Sequence, residues 1–281
     1  MIATTVLYHG GCLDGFGSAL ATWMKHGNEA QYIPVTYGQA PPKVPAEHSV
    51  MIVDFSYPYE MMKKLIAEHA YVVLLDHHLG SEEDAKRLMG ENHSNFTCYH
   101  DTFEYGATLT WEYMWGPKGV PLLYRYLRDG DLWTWELPGS REVYAALASH
   151  QRTFETWEVY VNQGPAGVKM LEEQGVHIRR AESKLVQQMV HSTLRMVKLG
   201  QYEVPAVNAP ILWSEAAHEA MLAIPGAKFG AYYHTLANGK IKWGMRGEGY
   251  VDLNALAKHW GGGGHFNAAS FTVEEGAIAF I

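Results

Sequence analysis

The chain has 281 residues, enough for two domains of ordinary size, and its hydrophobic fraction of 47% with 9 Trp supplies ample core material. A net charge of −8, from 22 basic against 30 acidic residues, excludes electrostatic wrapping of long duplex DNA. No run approaches the roughly 18 apolar residues of a membrane span, and two cysteines, Cys12 and Cys98, build no disulfide framework.

The N-terminal MIATTVLYHGG has neither the basic nor the apolar region of a secretory leader, so a reducing, cytoplasmic setting is expected. Val6–His9 reads as a strand and Phe16–Lys25 as a helix, with a glycine-containing turn between them. Val50–Phe55 is a second strand. Ser56 is placed to cap the helix that follows, with Pro58 in its first turn and Met61–His69 continuing it. Tyr71–Asp76 is a third strand, and the alternation predicts βαβ units with a parallel sheet. Tyr105–Trp115, Pro121–Arg128 and Arg141–Ala148 have helical spacing, the last following a Pro138-Gly139 break. Leu171, Val176, Ile178, Leu185, Met189, Val190 and Leu194 then mark one long helix, with Gly175 as a candidate break. Beyond Gly200 strands dominate: Glu203–Ala209, Phe229–Thr235 and Lys240–Met245, with a hairpin signal at Asn238-Gly239. Val251–Trp260 has helical spacing and precedes GGGGH at Gly261–His265. Trp111, Trp133 and Trp135 are read as core residues rather than as platforms for a base.

Three strand-like runs end in ligand-type residues. TTVLYHGGCLDG delivers His9, Cys12 and Asp14; VMIVDF delivers Asp54; YVVLLDHH delivers Asp76, His77 and His78. Parallel sheets carry their chemistry at the carboxyl ends of strands, and clustered His and Asp suit divalent metals such as Mn²⁺, Mg²⁺ or Zn²⁺. Taken singly, HGGCLDGFGSA reads as an ordinary βα turn and Asp54 as a helix-capping residue. Their coincidence at three strand ends points to metal-assisted phosphoester chemistry.

HxxC-x-DG, VDFSY, LDHH and the distal GGGGHFNAA, in that order, resemble the DHH phosphoesterase superfamily, in particular the branch with a DHH-associated C-terminal domain. The resemblance covers nearly the whole chain. It implies an N-terminal parallel-sheet α/β domain (residues 1–165), a helical connector (166–199) and a smaller α/β substrate-binding domain (200–281). It implies two divalent ions, Mn²⁺ before Mg²⁺, Zn²⁺ or Fe²⁺. His9 and Asp54 match ligands of the first ion, and Asp14, Asp54 and His77 match ligands of the second. Asp76 matches an orienting carboxylate and His78 a substrate-phosphate contact. RDGDLWTWEL offers Asp129 and Asp131 for a further ligand, and its likeness to DxWxW favours Asp131. Arg246, with Gly261, Gly262, Gly263, Gly264 and His265, matches the distal substrate motif, the glycine N–H groups being expected to face an anion. Cys12 departs from the family, which has Asp there. A ligating thiolate would favour Zn²⁺ or Fe²⁺; a non-ligating one would leave a weaker first site filled only with substrate; or activity would be lost.

The expected activity is a metal-dependent phosphodiesterase or exonuclease acting on short oligonucleotides or cyclic dinucleotides through a metal-activated water. The alternatives are a phosphomonoesterase for a small bisphosphate nucleotide and, because of Cys12, a catalytically weak nucleotide-binding module. Neither long duplex nucleic acid nor a membrane is expected as a partner.

Overall fold

The computed structural model describes residues 3–281 and divides into two compact units, residues 1–179 and 180–281. In chain order the elements are β1 (Thr4–His9), α1 (Leu13–His26), β2 (Ala30–Val35), β3 (Ser49–Val53), α2 (Tyr59–Glu68), β4 (Tyr71–Asp76), α3 (Glu82–Gly90), β5 (Phe96–His100), α4 (Gly106–Trp115), α5 (Leu122–Asp131), α6 (Ser140–Ser149), α7 (Phe154–Gln163) and α8 (Pro165–Thr193). They continue with β6 (Arg195–Leu199), β7 (Tyr202–Asn208), α9 (Trp213–Ala223), β8 (Phe229–Thr235), β9 (Ile241–Gly247), α10 (Leu253–Lys258), β10 (Gly263–His265) and β11 (Ala268–Val273). The fold is α/β throughout. Among the described residues no helix is long and apolar enough to cross a membrane.

The first unit is built on a five-stranded, all-parallel sheet in the order β2-β1-β3-β4-β5. Its central strands are buried on both faces. Val50, Ile52, Val72 and Leu74 pack with α2 and α3 residues such as Met62 and Leu88. The alternate Met51, Val53, Val73 and Leu75 form the opposite layer. Burial on both faces writes a continuous apolar run, which is why these strands are plain in the sequence. Two edge strands are not. Ala30–Val35 carries Pro34, which only an edge tolerates, and Phe96–His100 is half polar. The order reverses between β1 and β3, the switch point at which doubly wound sheets open a crevice beyond their carboxyl ends.

Two local expectations are corrected. Ser56 does not cap α2; its hydroxyl donates to the Tyr57 carbonyl, and Asp84 Oδ2 accepts from Tyr59 N at 3.0 Å instead. Nor does Gly175 break α8, which is continuous from Pro165 to Thr193. A Cβ at Gly175 would lie 1.9 Å from the Glu142 carbonyl oxygen, so the glycine lets α8 press against α6. Val168, Leu171 and Ile178 of α8 pack into the first unit's helical core with Trp157 and Leu147.

The second unit holds a six-stranded sheet in the order β10-β11-β9-β8-β7-β6, antiparallel except for β7 with β8. One face packs on α10 through Phe229, Trp243, Met245 and Leu253. The other packs Val207 and Tyr232 on Ala216, Ala217 and Ala220 of α9, with Val186, Met189 and Val190 of α8 alongside. α10 is shorter than the spacing indicates because Asp252 caps it, accepting from Ala255 N at 2.9 Å.

Candidate metal centre

His9 closes β1, and the chain turns at once into α1, whose first turn carries Asp14. The turn is tight. A Cβ at Gly15 would lie 2.0 Å from the His9 carbonyl oxygen, so only glycine lets the helix start directly over the strand end. Cys12 is the N-cap: its sulfur accepts from Gly15 N at 3.2 Å. Arg152 Nη1 donates to the Gly10 carbonyl at 2.9 Å and ties the turn to the rest of the unit.

Asp54 follows β3 in the left-handed region, φ +55°, with its amide donating to the Leu75 carbonyl on β4. That conformation costs an aspartate about 1 kcal/mol, and it aims a wholly buried carboxylate back across the strand ends. Asp54 Oδ2 accepts from the Cys12 thiol at 3.0 Å and lies 3.6 Å from His9 Nδ1. His77 Nε2 lies 3.1 Å from Asp54 Oδ1, 3.3 Å from Asp14 Oδ2 and 4.0 Å from Asp131 Oδ2.

Two donor trios result. The ligand atoms of His9, Cys12 and Asp54 lie within 4.8 Å of one another, and so do those of Asp14, His77 and Asp131. The Asp54–His77 contact joins them. Three carboxylates and two imidazoles on a largely buried strand rim are the oxygen and nitrogen set that a hard or borderline divalent cation takes, so the residues fit the metals implied by the sequence.

Burial sets these ionisable groups against one another. Burial and the neighbouring Asp54 charge push the Asp14 carboxyl well above the usual carboxylate range. Burial would raise Asp54 too, but hydrogen bonds from His77 and His9 hold it well below that range. Burial alone would lower His77, yet Asp14 and Asp54 raise it well above an ordinary imidazole. Burial and the charges of Asp54, Asp14 and Asp131 push the Cys12 thiol up, so it is protonated at neutral pH and donates to Asp54.

Asp76 stands behind this rim. Its Oδ1 accepts from His78 Nδ1 at 2.8 Å and His77 N at 2.9 Å, and its Oδ2 accepts from the Ser81 hydroxyl. Burial opposes ionisation, but the His78 charge and these hydrogen bonds hold Asp76 at about 2. Burial would lower His78 as well, and Asp76 instead raises it to about 9.

Of the two aspartates in RDGDLWTWEL, Asp131 reaches the cluster from the last turn of α5. Asp129 is engaged elsewhere: it accepts from Thr134 Oγ1 at 2.6 Å, Glu136 N at 2.8 Å and Leu137 N at 3.0 Å, shaping the loop. Trp133 and Trp135 in that loop adopt φ +60° and +55° and pack edge to face under Arg141.

Several contributors have no signature in the sequence. Asp14 accepts from Gly106 N at 3.0 Å and Ala107 N at 2.6 Å, the first amides of α4. A Cβ at Gly106 would stand 2.7 Å from Asp54 Oδ1, so glycine is required where the helix meets both carboxylates. Tyr37 packs on His9, Phe55 and His78 at ring-centroid distances of 5.3, 4.6 and 5.8 Å and is half-exposed at the rim.

In the second unit, Arg246 lies on β9 and donates to Ser214 Oγ at 2.7 Å. The glycine run is not an open anion nest. Gly261 N, Gly262 N and Gly264 N donate to Lys258 O, Ala257 O and Asn254 Oδ1 at 3.0, 3.0 and 3.1 Å. The glycines are needed for close packing instead: a Cβ at Gly262 would lie 2.2 Å from the Ser270 carbonyl oxygen. Gly263 and His265 pair with Ser270 and Ala268 as strand β10.

No family model matches the chain. It is similar to an uncharacterized protein of Acanthamoeba polyphaga mimivirus, with 25% identity over 98% of this chain and 69% of the relative. Among solved structures it is similar to an uncharacterized protein from Helicobacter pylori (15% identity, TM-score 0.45) and to a pGpG-specific phosphodiesterase, PggH, from Vibrio cholerae (12% identity, TM-score 0.49). Each comparison covers 97% of this chain and 94% of the other. At these TM-scores neither structure fixes the chemistry of this chain.

Proposed function

We propose that the protein is a metal-dependent phosphodiesterase acting on short oligonucleotides or cyclic dinucleotides. The observation that carries the reading is the pair of donor trios, His9–Cys12–Asp54 and Asp14–His77–Asp131, joined through the Asp54–His77 contact. The ordered resemblance to DHH phosphoesterases supports it.

His9 and Asp54 would hold one ion, with Asp54 shared, and Asp14, His77 and Asp131 the other; Mn²⁺ suits this set. Bound divalent ions supply charge neutralisation for phosphate and acidify water at neutral pH. The chain's own residues do the rest. Asp14 is fixed by the α4 amides and Asp54 by its left-handed backbone, so both carboxylates are oriented before any ligand arrives. His78, kept protonated by Asp76, donates to a non-bridging phosphate oxygen and stabilises the charge that develops there. Tyr37 covers His9 and His78 and limits water at the rim. Arg246 and His265 hold the remainder of the substrate. The protonated Cys12 thiol favours a first ion site built mainly on His9 and Asp54, weaker than one with a third carboxylate.

The test is a Mn²⁺-supported screen of short RNAs, cyclic dinucleotides, nucleoside bisphosphates and pyrophosphate, run beside Asp54→Ala. Hydrolysis of dinucleotides to mononucleotides that disappears in Asp54→Ala with the fold intact is expected. Release of inorganic phosphate from the bisphosphates alone would replace this reading with a phosphomonoesterase. Near wild-type turnover by Asp54→Ala would move the chemistry elsewhere.

A further inference from the structure

Ser81 stands at the N-cap of α3, where a serine hydroxyl ordinarily accepts from an amide of the first turn. It makes no such bond here. Glu82, Glu83 and Asp84 fill that turn and compensate the positive end of the helix, so the hydroxyl is left to bond elsewhere. The loop carries it back to the end of β4. Ser81 N donates to the His78 carbonyl at 3.0 Å, and Ser81 Oγ lies against Asp76 Oδ2.

The direction of the bonds around Ser81 follows from counting protons. The hydroxyl has one to give. Two acceptors are in reach, Asp76 Oδ2 and the His78 carbonyl at 2.9 Å. The ionised carboxylate takes it, because a charged acceptor makes the stronger bond. Ser81 Oγ then accepts from His100 Nε2 at 3.0 Å. His100 closes β5, in register with Asp76 on β4. Burial holds His100 below the ordinary imidazole range, against the pull of Asp76. A neutral ring that donates from Nε2 carries its one proton there. The bonds therefore run from His100 to Ser81 to Asp76, whose other oxygen accepts from His78 Nδ1 at 2.8 Å.

The two oxygens of Asp76 are unequally held. Oδ1 accepts from the His78 ring and from the amides of His77 and His78. Among the described residues Ser81 is the one donor to Oδ2. Without it a wholly buried carboxylate oxygen is unsatisfied, and the carboxylate is free to turn and carry His78 with it.

We propose that Ser81 and His100 are positioning residues for His78: they fix the plane of the Asp76 carboxylate, and the carboxylate fixes the imidazole that meets the substrate phosphate. The proposal deepens the phosphodiesterase reading and rests on it for what His78 contacts.

Two measurements on the full chain test it, and the first needs no activity. In metal-free protein with isotopically labelled histidine, the wild type is expected to show a slowly exchanging, downfield His78 Nδ1 proton and His100 protonated at Nε2. Ser81→Ala is expected to shift or broaden the His78 signal, and Ser81→Thr, which keeps the hydroxyl, to preserve it. The second measurement is Mn²⁺-supported hydrolysis of a dinucleotide. Ser81→Ala is expected to lower kcat about ten-fold or more with a smaller change in KM, because the charge that His78 meets develops in the transition state. Ser81→Thr should keep most of the rate. His100→Gln, whose amide donates in place of the imidazole, should keep more of it than His100→Ala. Once His78 is replaced by Ala, Ser81→Ala should cost nothing further, since it acts through that ring. An unmoved His78 signal in Ser81→Ala, or losses in Ser81→Ala and His78→Ala that multiply, would overturn the proposal. If circular dichroism shows that Ser81→Ala has not folded, His100→Ala is read in its place by the same two criteria. A wild type that hydrolyses no dinucleotide would sink the phosphodiesterase reading, and the histidine spectrum would still decide whether Ser81 holds the ring.

Discussion

Asp54 meets three demands at once: full burial, a left-handed backbone and contact with His9, Cys12 and His77. Its neighbour Cys12 is the residue most open to engineering. A protonated thiol donates to Asp54 and offers a cation little. Cys12→Asp is therefore expected to tighten Mn²⁺ binding about ten-fold or more and raise Mn²⁺-supported turnover. Metal titration of both forms checks this, and equal affinity and turnover would make Cys12 a bystander. Asp76 and His78 allow a pH test on metal-free protein. Asp76, held at about 2, stabilises the fold above its unfolded value near 3.8, and that stability is lost as pH falls through about 2. His78, raised to about 9, contributes fully below its unfolded value near 6.5 and loses its contribution as pH rises through about 9. The pair is thus worth most between about pH 4 and 6.5. Asp76→Asn should cost about 2–3 kcal/mol there in urea unfolding, and less at pH 10. A cost independent of pH would mean that the pair is not ionised as described.

At the scale of elements, the site is three strand ends braced by two helix ends. The strand ends were legible in the sequence because β1, β3 and β4 are buried on both faces and their apolar runs stop at polar residues. The bracing was not. Asp14 is held by amides 92 and 93 residues away, and no periodicity encodes a contact at that separation. The glycine run shows the same limit: consecutive glycines read as an anion nest, but the Ala257 and Lys258 carbonyls and the Asn254 side chain, all on α10, take three of their amides. Gly106→Ala places a methyl group against both carboxylates and should weaken metal binding on the order of 10-fold while the sheet persists. Asp129→Asn tests the other brace. It loosens the loop that follows Asp131, so the expected loss is in metal affinity although Asp129 touches no ligand trio. Unchanged affinity in both variants would mean that the carboxylates are positioned by their own strands alone.

The two units gather different side chains. The first gathers buried carboxylates at its strand ends, and the second sets the half-buried Lys242 beside aromatic rings. Ions that bind the folded state alone stabilise it, by about 2.7 kcal/mol at a hundred times Kd. Hydrogen exchange should accordingly slow in Mn²⁺ at the ends of β1, β3 and β4 and at the start of α4, and stay unchanged across residues 195–281. Protection spread evenly over both units would contradict a centre confined to the first. The most direct test of the central claim is to titrate Mn²⁺ into metal-free protein while bound metal and dinucleotide hydrolysis are followed on the same sample. Two ions per chain are expected at saturation, with turnover absent in chelator and reaching its plateau only as the second ion binds. Hydrolysis that persists in chelator, or a protein that binds no Mn²⁺ when the ion is in excess, would contradict it.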